Sequence, residues 1–173
     1  MEFLKHDIEQ SSLALLEQRG VKLEDIADLV YFLQSKYHEN LTIDECLHNV
    51  RRVLTKREIQ NAVVTGIQLD ILAEKNLIEE PLLSIIKKDE GLYGIDETIA
   101  LSIVNVYGSI GFTNYGYIDK LKPGILERLN DKSTGLVNTF LDDIVGAIAA
   151  AASSRLAHRA AHRNEDQQKN NNS

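Results

Sequence analysis

The chain of 173 residues carries 19 lysines and arginines against 26 aspartates and glutamates, a formal net charge of −7. That balance excludes general nucleic-acid binding, which needs a basic footprint, and disfavours passive adhesion to anionic lipid. Apolar residues make up 43% and charged residues 26%, an ordinary globular composition, and the length suits one domain whose core needs no staples.

Few prolines and abundant Leu, Ile and Ala favour helices over strands. The one cysteine, Cys46, has no internal disulfide partner and reads as a small buried hydrophobe in a reducing compartment. The N-terminal stretch lacks the basic and apolar regions of a signal peptide. No run approaches the ~20 apolar residues that span a membrane. The expectation is a cytoplasmic, soluble protein with at most peripheral membrane contact.

Val21 to Tyr37 repeats apolar residues at Val21, Leu23, Ile26, Leu29, Val30 and Leu33, close to the helical period. Thr42 with Glu45, and Thr55 with Glu58, have the spacing of capping boxes. They predict helices near Ile43 to Leu54 and Lys56 to Lys75. The second has a broad apolar face from Ile59 through Val63, Ile67, Leu69, Ile71 and Leu72. A shorter helix follows over Glu80 to Lys88, with Pro81 near its start.

Gly91 and Gly94 mark a break. Asp96 to Val106 is apolar on nearly every side and reads as a buried central helix. Gly108, Gly111 and Gly116 suggest a loop-rich region, then a short helix carrying Asp119 that ends before Pro123. After a turn at Gly135, the last long helix runs from Asn138 to His162. Residues 163–173 are polar and expected to be disordered. There is no internal repeat, strand pattern or linker. The expected architecture is all-α: one multi-helix bundle over residues 1–162, a central apolar helix surrounded by about five or six others.

Three segments place carboxylates in apolar, helix-like settings: Asp96 and Glu97, Asp119, and Asp142 with Asp143. Isolated buried carboxylates are costly, so such groups are usually paired or metal-bound. Three of these segments suggest convergence on a hard cation that takes oxygen ligands, with Mg²⁺ the natural candidate. Asp96 and Glu97 also suit the first turn of a helix, where acids complement the dipole. Asp142 and Asp143 both lie close to the apolar face of Phe140, Leu141, Ile144 and Val145, and the small residues from Gly146 to Ala152 permit close helix packing. Asp119 and Lys122 are neighbours on a helix, either an exposed ion pair or a lysine that holds phosphate beside an aspartate that binds metal or water.

Together these motifs resemble the phosphatidylglycerophosphatase A family. Its pattern is a glycine, then Asp-Glu opening an apolar helix, an aspartate followed by Lys-Pro, and Asp-Asp-Ile-Val before small residues. Here it falls on Gly91, Asp96 and Glu97, Asp119 with Lys122 and Pro123, Gly135, and Asp142, Asp143, Ile144 and Val145. The resemblance covers Gly91 to Ala152 and is nearest to a soluble, helical branch from Gram-positive bacteria. Ile125, Asn138 and Ala100 depart from a proline and two glycines of the family pattern.

The resemblance implies an all-α fold and Mg²⁺-dependent hydrolysis of a phosphate monoester, phosphatidylglycerophosphate or a related lipid phosphate. Asp96, Glu97, Asp142 and Asp143 would hold the metal, Asp119 would position water or complete the metal shell, and Lys122 would stabilise the phosphate. The substrate class is a phosphorylated lipid or a small phosphate ester. The rival reading is a non-catalytic helical module that binds metal, a phosphometabolite or a protein partner. A leftover apolar helix face would allow a homo-oligomer. His158 and His162, four apart within a basic helix end from Arg155 to Arg163, suit a solvated C-terminus, or a strip that touches anionic head groups.

Overall fold

In a computed structural model the backbone of residues 2–171 and the side chains of residues 8–161 are described. Nine α-helices and no strand occur among the described residues: α1 (Glu2–Gln18), α2 (Leu23–Gln34), α3 (Ile43–Leu54), α4 (Arg57–Glu74), α5 (Leu82–Lys88), α6 (Ile95–Val104), α7 (Ser109–Leu121), α8 (Ile125–Leu129) and α9 (Leu141–Asn171). None of the helices searched is long and apolar enough to cross a membrane.

The central helix is α9, not the segment beginning at Asp96. Residues 141–154 are all buried, and α9 packs against α2, α3, α4, α6, α7 and α8. Side-chain size explains this. Gly146, Ala147 and Ala149 to Ala152 let neighbouring backbones come close on every side, so one helix can be shared by six. By contrast, α6 buries Asp96, Ala100, Ile103 and Val104 and leaves Ile95 exposed. The polar stretch expected to be disordered continues α9 as backbone helix through Asn171, and its Glu, Gln and Lys residues are compatible with helix. The side chain of His162, one half of the expected histidine pair, lies outside the described residues, and His158 is exposed.

Local signals account for several boundaries. Thr42 Oγ1 accepts from the Glu45 amide at 3.2 Å, and Glu45 accepts from the Thr42 amide at 3.2 Å, so α3 opens on a true capping box. Thr55 is not the second one: its hydroxyl donates to the Arg52 carbonyl at 2.8 Å and closes α3, leaving Lys56 to precede α4. The glycines at 111 and 116 do not break α7. Gly111 serves close packing, since a Cβ there would stand 2.8 Å from Val104 Cγ1 and 3.2 Å from Ser154 Oγ. Cys46 is fully buried, and burial first, then Glu45 and Asp28, pushes its thiol up to about 11.

The entry to α9 is held by buried polar contacts. Asp70, on α4, accepts from the Phe140 amide at 3.1 and 3.2 Å and from the Leu141 amide at 2.9 Å. Arg19 donates to Glu74 at 2.6 Å, to the Val137 carbonyl at 2.8 Å and to Asn138 at 2.8 Å. Glu74 in turn accepts from the Val137 amide at 2.8 Å. Thr139 Oγ1 donates to the Ile86 carbonyl at 2.6 Å. The Asp70 contacts satisfy amides that the start of α9 leaves open, and the others fix the segment that leads into Asp142 and Asp143.

Candidate metal centre

Three helix ends meet at one end of the bundle. Asp96 and Glu97 occupy the first turn of α6, Asp142 and Asp143 the first turn of α9, and Asp119 and Lys122 the last turn and C-cap of α7. The antiparallel run of α7 on α9 brings this about, with Gly111 beside Ser154 at one end and Ile118 beside Gly146 at the other. All six residues expected at the site therefore share a neighbourhood, but they divide into two groups.

In the first group, oxygens of Asp96, Glu97 and Asp143 all lie within 4.8 Å of one another. Asp96 and Asp143 are buried and Glu97 is half-buried. Asp96 Oδ1 and Glu97 Oε2 are shielded from solvent and have no hydrogen-bond partner. The electrostatics agree with the crowding. Burial first, then the Glu97 side chain, raises the Asp96 carboxyl to about 7. Burial first, then Asp142, raises Asp143 to about 8.

The second group surrounds Lys122. Its Nζ stands 2.6 Å from Asp119, 2.8 Å from Asp142 and 3.7 Å from Asp143. Burial opposes the ammonium charge, yet Asp142 and Asp119 hold it above the usual lysine range. Burial raises Asp142 as well, against the pull of Lys122. Of the two adjacent aspartates, Asp142 is thus the lysine's partner and Asp143 the one that faces Asp96 and Glu97. Their divergence follows from the ~100° turn between successive helical residues. Lys122 takes a left-handed backbone conformation, φ 47°, an unfavourable choice for a non-glycine residue that its two short ion pairs help to hold.

Other cations near the site are engaged elsewhere. Arg128 donates to the Gly20 carbonyl, and Lys132 pairs with Asp89. Lys120 is exposed. The basic helix end at Arg155 sits 12 residues after Asp143, about 18 Å away along α9, where Arg155 donates to Asn49 at 2.5 Å. It belongs to the opposite end of the molecule from the carboxylates.

Two residues of the neighbourhood escape a reading of the sequence. Asp70 is fully buried, and burial raises its carboxyl to about 8 against the pull of the Phe140 and Leu141 amides. Its signal was an acid inside an apolar stretch, Ile67 to Leu72, the same signal that marked the other carboxylates. Tyr115 lies one turn before Asp119 on α7, and its buried hydroxyl has no partner. Burial first, then Asp143, Asp119, Asp142 and Glu97, raises its phenol above the ordinary range.

The fit to a hard divalent cation rests on the donor set. Three carboxylate oxygens within one ligand shell's reach, two carboxylates with an oxygen that no protein group satisfies, are the ligands that Mg²⁺ prefers. The protein offers no competing donor to those two oxygens among the described residues.

Comparison with known proteins bears on the same residues. The model of the family described as phosphatidylglycerophosphatase A matches residues 13–158, a span that begins in α1 and encloses the whole carboxylate site. YutG of Bacillus subtilis strain 168 is 68% identical over 155 residues, which are 90% of this chain and 93% of that one. A solved structure described as a protein of unknown function from Bacillus stearothermophilus superposes with a TM-score of 0.87 at 74% identity, covering 88% of this chain and 94% of the other. The low temperature requirement C protein of Listeria monocytogenes superposes equally well, TM-score 0.87 at 65% identity, over 88% of this chain and 96% of its own. With the family model spanning most of its length, the chain belongs to the phosphatidylglycerophosphatase A family.

Proposed function

We propose that the protein is a Mg²⁺-dependent phosphatase that hydrolyses a phosphate monoester on a lipid glycerol head group, phosphatidylglycerophosphate or a close relative. The observation that carries this reading is the meeting of Asp96, Glu97 and Asp143 oxygens within 4.8 Å, in a chain whose family is named for that reaction. Asp96, Glu97 and Asp143 would hold the ion. The chemistry supplied by a bound Mg²⁺ is positive charge and Lewis acidity at the phosphoryl group.

The remaining steps belong to side chains. Lys122 brings a fixed cation to the site rim, where it offsets the negative charge that gathers on the phosphoryl oxygens as the bond to the leaving group lengthens. Asp142 fixes the direction of that lysine, 2.8 Å from its Nζ. Asp119, the most exposed carboxylate touching Lys122, orients the attacking water and takes its proton while the water oxygen bonds to phosphorus and the ester P–O bond breaks. The alcohol leaves and takes up a proton from solvent.

A lipid substrate is supported by the surface at this end of the bundle. Leu92, Ile95, Leu121 and Leu136 are exposed, and each lies within a few residues of Asp96, Lys122 or the start of α9. Exposed apolar side chains beside polar site residues in the chain suit contact with a lipid.

The test is phosphate release from phosphatidylglycerophosphate and from glycerol phosphate, each with Mg²⁺ and with chelator. Turnover of the lipid that needs Mg²⁺ and disappears in Asp96→Ala and Asp143→Ala supports the proposal. Full activity in either folded variant, or turnover indifferent to chelation, refutes it. Equal rates on both esters would remove lipid as the substrate and leave the phosphatase.

A further inference from the structure

Tyr115 brings to this site a buried hydroxyl that no protein group engages. Its residue is 6% exposed, and its ring edge packs on α9, with Cε2 3.8 Å from the position a Cβ would take on Gly146. Gly146 lies one turn beyond Asp142 and Asp143, and Tyr115 lies one turn before Asp119. The ring therefore packs between α7 and α9, about one turn from Asp119 on the first and from Asp142 and Asp143 on the second, near enough for these carboxylates and Glu97 to act on its phenol. Its hydroxyl has no hydrogen-bond partner in the protein, an expensive arrangement for a buried donor. A phenylalanine would fill the same space against Gly146 without that cost, so packing accounts for the ring and not for the oxygen.

Lys122 is already shared between Asp119 and Asp142 at 2.6 and 2.8 Å. A second cation at position 115 would be drawn into the same carboxylates. A neutral hydroxyl is not locked in that way and remains free to donate to an arriving anion. Burial first, and then the surrounding carboxylates, keep the phenol protonated, so its donor is available throughout the ordinary pH range.

We propose that Tyr115 is a phosphate-binding residue, its hydroxyl donating a hydrogen bond to a phosphoryl oxygen of the group held at the carboxylate site. The ligand class is a tetrahedral phosphate dianion, either a phosphate monoester or inorganic phosphate. This rests on the phosphatase reading for the place where the phosphate sits, and its test separates the two.

The experiment uses full-length protein and Tyr115→Phe. Inorganic phosphate binding is measured by calorimetry with saturating Mg²⁺, kcat and KM are measured on a phosphate ester, and thermal unfolding is followed without Mg²⁺ or phosphate. The expected result is phosphate binding weakened about 10- to 100-fold, the loss of one hydrogen bond to a charged group, with a metal-free Tm equal to or above wild type. Unchanged phosphate affinity overturns the proposal. So does a lower metal-free Tm, which would mean that the hydroxyl is engaged within the fold. Wild-type protein that binds phosphate through Tyr115 but hydrolyses no ester removes the phosphatase reading and leaves this one standing. Wild-type protein that binds no phosphate removes both.

Discussion

Replacing Asp143 with asparagine separates a carboxylate cluster built for a cation from one that serves the fold. Asp143 is 6% exposed, and burial and Asp142 raise it to about 8 from an ordinary 3.8. In the metal-free chain at a pH of about 7.5, folding must keep neutral a group that the unfolded chain ionises, a penalty of roughly 5 kcal/mol at 1.36 per unit. Asparagine removes that penalty but weakens the contact with Lys122 Nζ at 3.7 Å and brings an amide that needs partners. The net gain is therefore smaller, about 2 kcal/mol. For a chain of this length that raises the metal-free Tm by about 4 to 8 °C. With Mg²⁺ the order reverses. On the proposed ligand set, wild type gains about 2.7 kcal/mol at a hundredfold excess over Kd, whereas Asp143→Asn lacks a ligand and gains little. Thermal unfolding followed by circular dichroism, with and without excess Mg²⁺, reads both effects in one instrument. A variant less stable than wild type without metal, or one that keeps the full Mg²⁺ shift, would refute the reasoning.

The pH dependence follows from the same groups. Carboxyls raised to about 7 at Asp96 and about 8 at Asp143 contribute stability that is fully present below the unfolded value near 4, is lost as pH rises toward 7 to 8, and is flat above. Chemical unfolding of the metal-free protein across that range measures the loss. Because Mg²⁺ must displace those protons, its affinity should rise through the same window, which calorimetric titration at its two ends detects. Gly66→Ala places a Cβ 2.4 Å from Ile144 Cδ1 and 3.0 Å from Phe140 Cβ; it should cost about 1 to 3 kcal/mol by urea unfolding, as overpacking does, and lower phosphatase activity by displacing the start of α9. Asp70→Ala strips the acceptor from the Phe140 and Leu141 amides and should cost about 2 to 3 kcal/mol. Asp70→Asn, which keeps an acceptor and loses a buried carboxyl, should cost less in the same assay.

How far the sequence could be read varies from element to element for physical reasons. The limits of α3 were legible because Thr42 and Glu45 are four residues of local chemistry. The start of α4 falls within one residue of the expectation, but its capping was not legible, because Thr55 has the same spacing to Glu58 and spends its hydroxyl on the preceding helix. A central apolar helix was legible, but which helix it is was not, because apolarity on every side marks a buried helix without saying how many neighbours its side chains admit. Ile99 to Val104 carries large side chains, whereas the alanines of α9 are what admit six neighbours. The convergence of Asp96, Glu97, Asp119, Lys122, Asp142 and Asp143 was legible from their apolar settings and from the family pattern. Their division into a three-carboxylate group and a lysine group was not, since Lys122 and Asp142 are 20 residues apart and only the crossing of α7 on α9 decides which aspartate meets it. Tyr115 and Asp70 carry no motif. One is defined by a hydrogen bond it lacks and the other by two backbone amides some 70 residues away.

The arrangement of charge explains how so many carboxylates can be folded together before any cation arrives. Asp96 and Glu97 lie in the first turn of α6, and Asp142 and Asp143 in the first turn of α9, where the positive ends of two helix dipoles face acids. Lys122 closes α7, where the negative end favours a cation. Each charge is therefore favoured by its own helix, and the repulsion among the acids is met partly by backbone dipoles and partly by Lys122. Among the buried polar atoms left without a partner are one oxygen each on Asp96 and Glu97 and the Tyr115 hydroxyl, with Asn114 Nδ2 on α7 and Ser154 Oγ farther along α9. The first two call for a cation and the third for an anion. On the proposed function, that pairing suits a phosphate that arrives alongside a divalent metal.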